Sequence, residues 1–141
     1  VGGRRVDLHA HTFFSDGLLS PEALVARAID KHLVALAVTD HDSIEALPRS
    51  RAAAGAHLEL VPGIELSSSF EGLDLHILGF YLDPDHPGLR ARLENFQDER
   101  RERAAMILQR LTELGAPVDP EVVFDLAGPG VVGRPHVAAA L

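Results

Sequence analysis

The sequence predicts an α/β fold built on parallel strands, and three observations predict it. Apolar, strand-like runs alternate with helix-like stripes at 4–9, 21–32, 34–39, 43–54 and 58–66. That is the βα pattern of a parallel sheet or barrel. The run Val34-Ala35-Leu36-Ala37-Val38-Thr39 is almost continuously apolar, which suits a strand covered on both faces. Histidines and carboxylates collect where these runs end, and parallel α/β folds carry their sites at the C-terminal ends of the strands.

The first strand, 4–9, leads into His9-Ala10-His11. Side chains at i and i+2 of a strand leave the same face, so His9 and His11 converge. Asp16 follows in a Ser15-Asp16-Gly17 turn, from which the chain can fold back toward them. Ser20 before Pro21 is an N-cap followed by proline at the first helical position. Ala23, Leu24, Ala28 and Ile29 give that helix its stripe through about His32, and His32 complements the helix dipole. The buried run 34–39 ends in Asp40-His41-Asp42. A second helix is expected over 43–54, with Asp42 and Glu45 as a capping pair. No such structural explanation covers Asp40 and His41. The run 58–66, broken by Pro62-Gly63, carries Glu65 just past the break, and His57 before it reads as surface loop.

Ser67-Ser68-Ser69 leads to a Glu71-Gly72 turn and a strand over 73–82. Asp74, His76, Leu78 and Phe80 share one face of it. Residues 83–88 are turn material with a solvated His86. A long helix over 89–114 carries Leu89, Leu93, Phe96, Ile107, Leu108, Leu111 and Leu114 on its apolar stripe. Its middle, 97–103, is densely charged, usually the sign of a solvated face laced with i,i+4 pairs. An arginine there could reach a phosphate. Gly115 ends the helix, Pro120 starts a short helix over 119–126, and Gly133-Arg134-Pro135-His136 opens an alanine-rich helix.

Bulk composition narrows the chemistry. The chain has 141 residues, enough for one domain with a core. No apolar run approaches the length needed to cross a membrane as a helix. Cysteine is absent, so disulfides and thiolate ligands are excluded, which fits a cytoplasmic protein. The formal charge of −8 argues against a stable complex with DNA. A small phosphorylated substrate remains compatible, because bound metal ions reverse the local charge. Any metal must be held by His, Asp and Glu, a donor set that suits manganese, zinc or iron. His9, His11, Asp16, Asp40, His41 and Glu65 exceed one closed site and suggest two or more metals. The residues themselves therefore point to metal-assisted hydrolysis.

Asp7-Leu8-His9-Ala10-His11-Thr12, Ser15-Asp16-Gly17, Thr39-Asp40-His41-Asp42, Pro62-Gly63-Ile64-Glu65 and Leu75-His76-Ile77-Leu78-Gly79 resemble the motifs of the polymerase-and-histidinol-phosphatase (PHP) family. The charged helix and Gly133-Arg134-Pro135-His136 resemble its metal-dependent phosphoesterases that act on nucleotides, among them 3′,5′-nucleoside bisphosphate phosphatases and 5′-to-3′ exoribonucleases of short RNA. The resemblance implies the N-terminal part of a distorted (β/α)7 barrel over 1–86 and a helical insertion over 87–141. It implies a trinuclear centre, often manganese. His9 and His11 would hold one metal, Glu65 would bridge it to a second that His76 also binds, and Asp16 and His41 would hold the third. Asp40 would orient His41 or a bound water. Arg134 and His136 would contact the substrate phosphate, with Arg100 and Arg103 as further candidates.

The implied reaction is hydrolysis of phosphate esters of nucleotides or short oligonucleotides through a multinuclear metal-bound hydroxide. Alternatives are a histidinol-phosphate-type phosphatase, a polymerase proofreading module, or a non-catalytic metal-binding remnant. Family ligands beyond this point, in Ala-His-Pro and Asp-x-His segments, have no counterpart here. A fragment or truncated product is therefore expected, its C-terminal barrel strands missing and its open sheet edge prone to self-association.

Overall fold

The computed structural model describes residues 3–141. Four strands form one curled sheet, half of a barrel, in the order β1 (Arg5–Ala10), β2 (Leu33–Val38), β3 (Glu59–Phe70), β4 (Leu73–Phe80). β1, β2 and β3 run parallel, and β4 is antiparallel to β3. Two helices connect the parallel strands, α1 (Pro21–Asp30) and α2 (Leu47–Ala54). Three more follow the sheet: α3 (Pro87–Glu113), α4 (Pro120–Ala127) and α5 (Arg134–Ala140). Among the described residues, no helix is long and apolar enough to cross a membrane.

Local chemistry explains most of the boundaries. Ser20 Oγ accepts the Ala23 N–H at 3.1 Å, so α1 starts at Pro21. α3 ends in a Schellman motif. Gly115, at φ +80°, donates its N–H to Thr112 O, and Ala116 donates to Leu111 O. His86, exposed as expected, is also the N-cap of α3, and its Nδ1 accepts the Leu89 N–H.

α2 begins four residues later than its stripe suggests, because Asp42 does not cap it. Asp42 is fully buried with a left-handed φ of +49°. Its side chain turns inward to accept the Ser67 N–H at 2.8 Å, while Glu45 N–H bonds Ser43 Oγ instead.

β3 also departs from expectation, running unbroken through Pro62-Gly63 and on to Phe70. The reason is a change of partner. Residues 59–62 pair with β2, and residues 63–70 pair with β4. Pro62, which lacks a donor, takes the last place in the parallel ladder, opposite Val38. At Gly63 the strands come so close that a Cβ would lie 2.8 Å from Thr39 Cγ2. Glu71 and Gly72, at φ +51° and +79°, make the two-residue hairpin turn into β4.

Two apolar clusters share α3. Val25 of α1, Leu36 and Val38 of β2, Leu47 of α2, Ile64 of β3 and Leu93 of α3 form the first. Ala104 and Leu108 of α3, Val123 and Ala127 of α4, Val132, and Val137 of α5 form the second. The second cluster is clasped to the loop after β1: Val131 donates its N–H to Phe14 O at 2.9 Å. At Gly130 a Cβ would sit 2.4 Å from Phe13 O, so the clasp requires glycine.

Candidate metal centre

The C-terminal ends of the parallel strands and one face of β4 meet at Glu65, which is 5% exposed. Its Oε2 lies 2.7 Å from His9 Nε2, 3.1 Å from His11 Nε2 and 3.8 Å from His41 Nδ1. Its Oε1 lies 2.8 Å from His76 Nδ1. Asp16 closes the far side, with its two oxygens 3.3 Å from His11 Nδ1 and 3.6 Å from His41 Nε2. The imidazoles form a continuous row, with centroids 5.1 Å (His9–His11), 4.8 Å (His11–His41) and 5.0 Å (His41–His76) apart.

Each side chain arrives for a local reason. His9 and His11 share a face at the end of β1. His41 is held by a parallel bridge to Glu65, with Asp42 N–H donating to Glu65 O and Glu65 N–H to Asp40 O. The loop carrying Asp16 is built around Asp40, which is 1% exposed. The Asp40 carboxylate accepts Thr12 N–H at 2.7 Å, Thr12 Oγ1–H at 2.7 Å and Ser15 Oγ–H at 2.6 Å. Asp40 thus bonds the β1 loop rather than His41, and it reaches a histidine only through Ser15, whose Oγ lies 3.3 Å from His11 Nδ1. Gly17 completes the loop, since a Cβ there would fall 2.4 Å from His11 O.

The protonation states suit metal binding, which needs neutral imidazole and ionised carboxylate. Burial pushes the His11 imidazole below its ordinary value, against the pull of Asp16. The neighbouring His41, with His11, holds the Asp16 carboxyl down at about 2 against the effect of burial. Burial works to raise Glu65, but the hydrogen bond with His9 and the neighbouring His41, His11 and His9 outweigh it, leaving the carboxyl below its usual range.

Among the described residues, three groups have ligand atoms within 4.8 Å of one another: His9, His11 and Glu65; His11, Asp16 and His41; His41, Glu65 and His76. His41 Nδ1 is buried and has no hydrogen-bond partner among the described residues. A buried imidazole nitrogen without a partner is costly, and a cation beside Glu65 would satisfy it. The donor set and this orphaned nitrogen fit a divalent metal.

The cluster opens into a cavity of about 380 Å³, lined on the strand side by Asp16, His41, His76 and Ser67. Ile107, Val132 and Val137 line the helix side, together with Arg100, Arg103 and Arg134. The arginines differ. Arg100 is committed to the frame: its Nε–H donates to Asp42 Oδ2 at 2.6 Å and its Nη2–H to Ser67 Oγ at 2.6 Å. Gln97 adds a bond to Asp42 O. Arg103 instead pairs with Asp74 at 3.0 Å, with Arg134 3.8 Å from the same oxygen. Arg103 is the main reason the Asp74 carboxyl sits below its usual range. His136 lies beside the loop that carries Asp16. Its Nδ1 accepts the Gly133 N–H at 2.9 Å, bracing the first turn of α5, and burial lowers its pKa against the charge of Asp16, which acts to raise it.

Sequence reasoning missed Ser15, Ser67 and the inward role of Asp42. A fully buried strand that ends in two aspartates was the available signal for Asp42. The two serines carried none.

A sequence profile for the PHP domain matches residues 7–114. The chain belongs to the PHP domain family. The six clustered PHP residues His9, His11, Asp16, His41, Glu65 and His76 all lie inside that match, whereas Arg134 and His136 lie beyond it. The chain is 41% identical over 138 residues to the 5′-3′ exoribonuclease Rnm of Salmonella typhimurium, covering 96% of this chain and 47% of that protein. It is 33% identical over 145 residues to the 3′,5′-nucleoside bisphosphate phosphatase of Chromobacterium violaceum, covering 96% of this chain and 48% of that protein. Among solved structures, a Bifidobacterium adolescentis protein assigned as a metal-dependent phosphoesterase superposes with a TM-score of 0.90 at 29% identity. That match covers 99% of this chain and 50% of the other. The PHP chain spans about half the length of the relatives it matches.

Proposed function

We propose that this chain carries the metal-binding half of a phosphoesterase that hydrolyses phosphate esters of nucleotides or short oligonucleotides. The observation that carries the reading is Glu65, which four histidines approach within 3.8 Å beside an unsatisfied His41 nitrogen. His9 and His11 would hold one divalent ion with Glu65, His76 a second with Glu65, and Asp16 and His41 a third, each neutral imidazole giving its one free lone pair to one ion. The sulfur-free donor set favours manganese, with zinc and iron as alternatives. Such ions, when bound, supply Lewis acidity toward a phosphate ester and a nucleophile at neutral pH.

The chain's own residues do the rest. Neutral His11 and ionised Asp16 and Glu65 are in ligating form. Asp40 positions the Asp16 loop through Thr12 and Ser15, and Arg100 ties α3 to the strands that bear His41 and Glu65. Arg103 and Arg134 place guanidinium groups in the cavity, where a substrate phosphate accepts charge-assisted bonds. His136 serves Arg134 by fixing the start of its helix. The relatives acting on nucleotides and RNA support that substrate class over histidinol phosphate. The cysteine-free sequence suits a cytoplasmic enzyme.

Metal content and turnover test the reading. Purified protein is expected to retain manganese, zinc or iron by elemental analysis. The full-length protein is expected to release phosphate from adenosine 3′,5′-bisphosphate. His11→Ala, which removes a member of two of the three ligand groups, should abolish turnover and lower metal content. Protein that takes up none of these ions would overturn the proposal.

A further inference from the structure

We propose that Asp74 is a specificity-determining residue: its carboxylate holds Arg103 and Arg134 together as an anion site, and a phosphate group of the substrate displaces it. The inference rests on the phosphoesterase reading and concerns the helix side of the same cavity.

Two guanidinium groups from different helices meet on one oxygen, Asp74 Oδ2, at 3.0 Å from Arg103 and 3.8 Å from Arg134. The shared carboxylate offsets the repulsion between the two like charges. Asp74 neutralises one of them, so the trio keeps a positive charge for a phosphate to neutralise. The Asp74 side chain is 51% exposed, Arg103 is 50% and Arg134 is 64%. Ion pairs at that exposure are weak and easily exchanged. A phosphate offers several oxygens to two forked donors, which is the stronger arrangement.

The contrast with Arg100 makes the point internal to the cavity. Arg100 pairs with Asp42, whose side chain is 0% exposed, and it also bonds Ser67. Of the three arginines lining the cavity, that one is fixed, while two are held by a partner that water already reaches.

Placement fits the role. Asp74 and His76 are two apart on β4 and share a face. The strand rises about 3.4 Å per residue, so Asp74 stands about 7 Å along it from an imidazole of the metal cluster. A phosphate at the arginines is then a neighbour of the phosphate at the metals, on one nucleotide. Substrates with a second phosphate gain by replacing Asp74. Those without one leave the carboxylate in place, and it repels other anions.

Calorimetric titration of the metal-free protein with sulfate tests this directly. Asp74→Asn keeps an acceptor of similar shape but removes the charge. It should tighten sulfate binding about three- to fivefold, the range of an exposed ion pair. In manganese-loaded full-length protein it should lower KM for adenosine 3′,5′-bisphosphate to a similar degree. Asp74→Glu, which retains the charge, should not tighten binding. Adding Arg103→Gln to Asp74→Asn should cancel the gain, as a double-mutant cycle reads out. Unchanged or weaker sulfate binding in Asp74→Asn would overturn the inference, as would a gain that survives loss of Arg103. Tighter sulfate binding without metal-dependent hydrolysis would support the role of Asp74 and defeat the phosphoesterase reading. Hydrolysis without tighter binding would do the reverse.

Discussion

On the strand side of the cavity, Glu65, Asp40 and Asp42 are buried, and each carboxylate receives several hydrogen-bonding side chains or backbone groups. On the helix side, Asp74 stands half in water and shares one oxygen between two long side chains that are themselves half or more exposed. Each side pairs a carboxylate with an arginine, Asp42 with Arg100 and Asp74 with Arg103, but burial gives the two pairs different work. Buried pairs fix geometry, since losing one partner strands a charge in a place water cannot reach. Half-exposed pairs exchange partners readily, because water offsets much of the loss. The ligand cluster needs the first property, and an anion subsite needs the second.

Substitutions of like residues on the two sides would break or sharpen that contrast. The largest effect is expected for Arg100→Met. It leaves Asp42 buried without its cation and should cost about 3–5 kcal/mol in urea unfolding. Arg100→Lys should recover part of it, because it keeps the charge but loses the fork that also reaches Ser67. An Arg100→Met variant as stable as the parent would erase the contrast.

Acid should act on the strand side next. Asp16 titrates at about 2 in the folded protein against 3.8 ordinarily. Its folded value is depressed, so its stabilisation is complete above pH 3.8 and disappears as pH falls toward 2. His11 is depressed too, so the folded state resists its protonation, and the stabilisation from its neutral form is lost as pH falls below its ordinary 6.5. Both shifts point one way: urea midpoints should drop from pH 7 to 5 and again below pH 4. A midpoint that rises on acidification would contradict the neutral His11.

The smallest effect on stability is expected for Arg134→Gln, within about 0.5 kcal/mol, as for surface changes generally. Its consequence should appear in substrate KM instead. A melting temperature well below that of the parent would move Arg134 to the structural side of the comparison.

Much of this was legible in the sequence where the signal was local. Ser20-Pro21 and Asp119-Pro120 marked helix starts, and the His9-Ala10-His11 spacing put two imidazoles on one face. Glu65 and His76 were readable because polar residues on apolar strands need a reason. Asp42 was misread because a carboxylate three residues before Glu45 has the same local pattern as a capping box. Its true partner, Arg100, lies 58 residues away, and nothing in the intervening composition announces the pairing. Pro62-Gly63 looked like a break for a related reason. Whether such a pair interrupts a strand depends on which neighbours it faces, and β4 had not yet been placed beside it.

That dipeptide has a consequence for how the molecule breathes. Residues 59–62 of β3 share amide bonds with β2, and residues 63–70 share theirs with β4. One continuous strand thus spans two hydrogen-bonded ladders, and the ladders need not open at the same free energy. Amide exchange should step at Pro62-Gly63, with the amides of Val61 and Ile64 slowing on separate schedules. Glu65 sits just past that boundary, but its backbone is also bonded to residues 40 and 42. It is the point at which an opening of the hairpin would be felt by the ligands on the other strands.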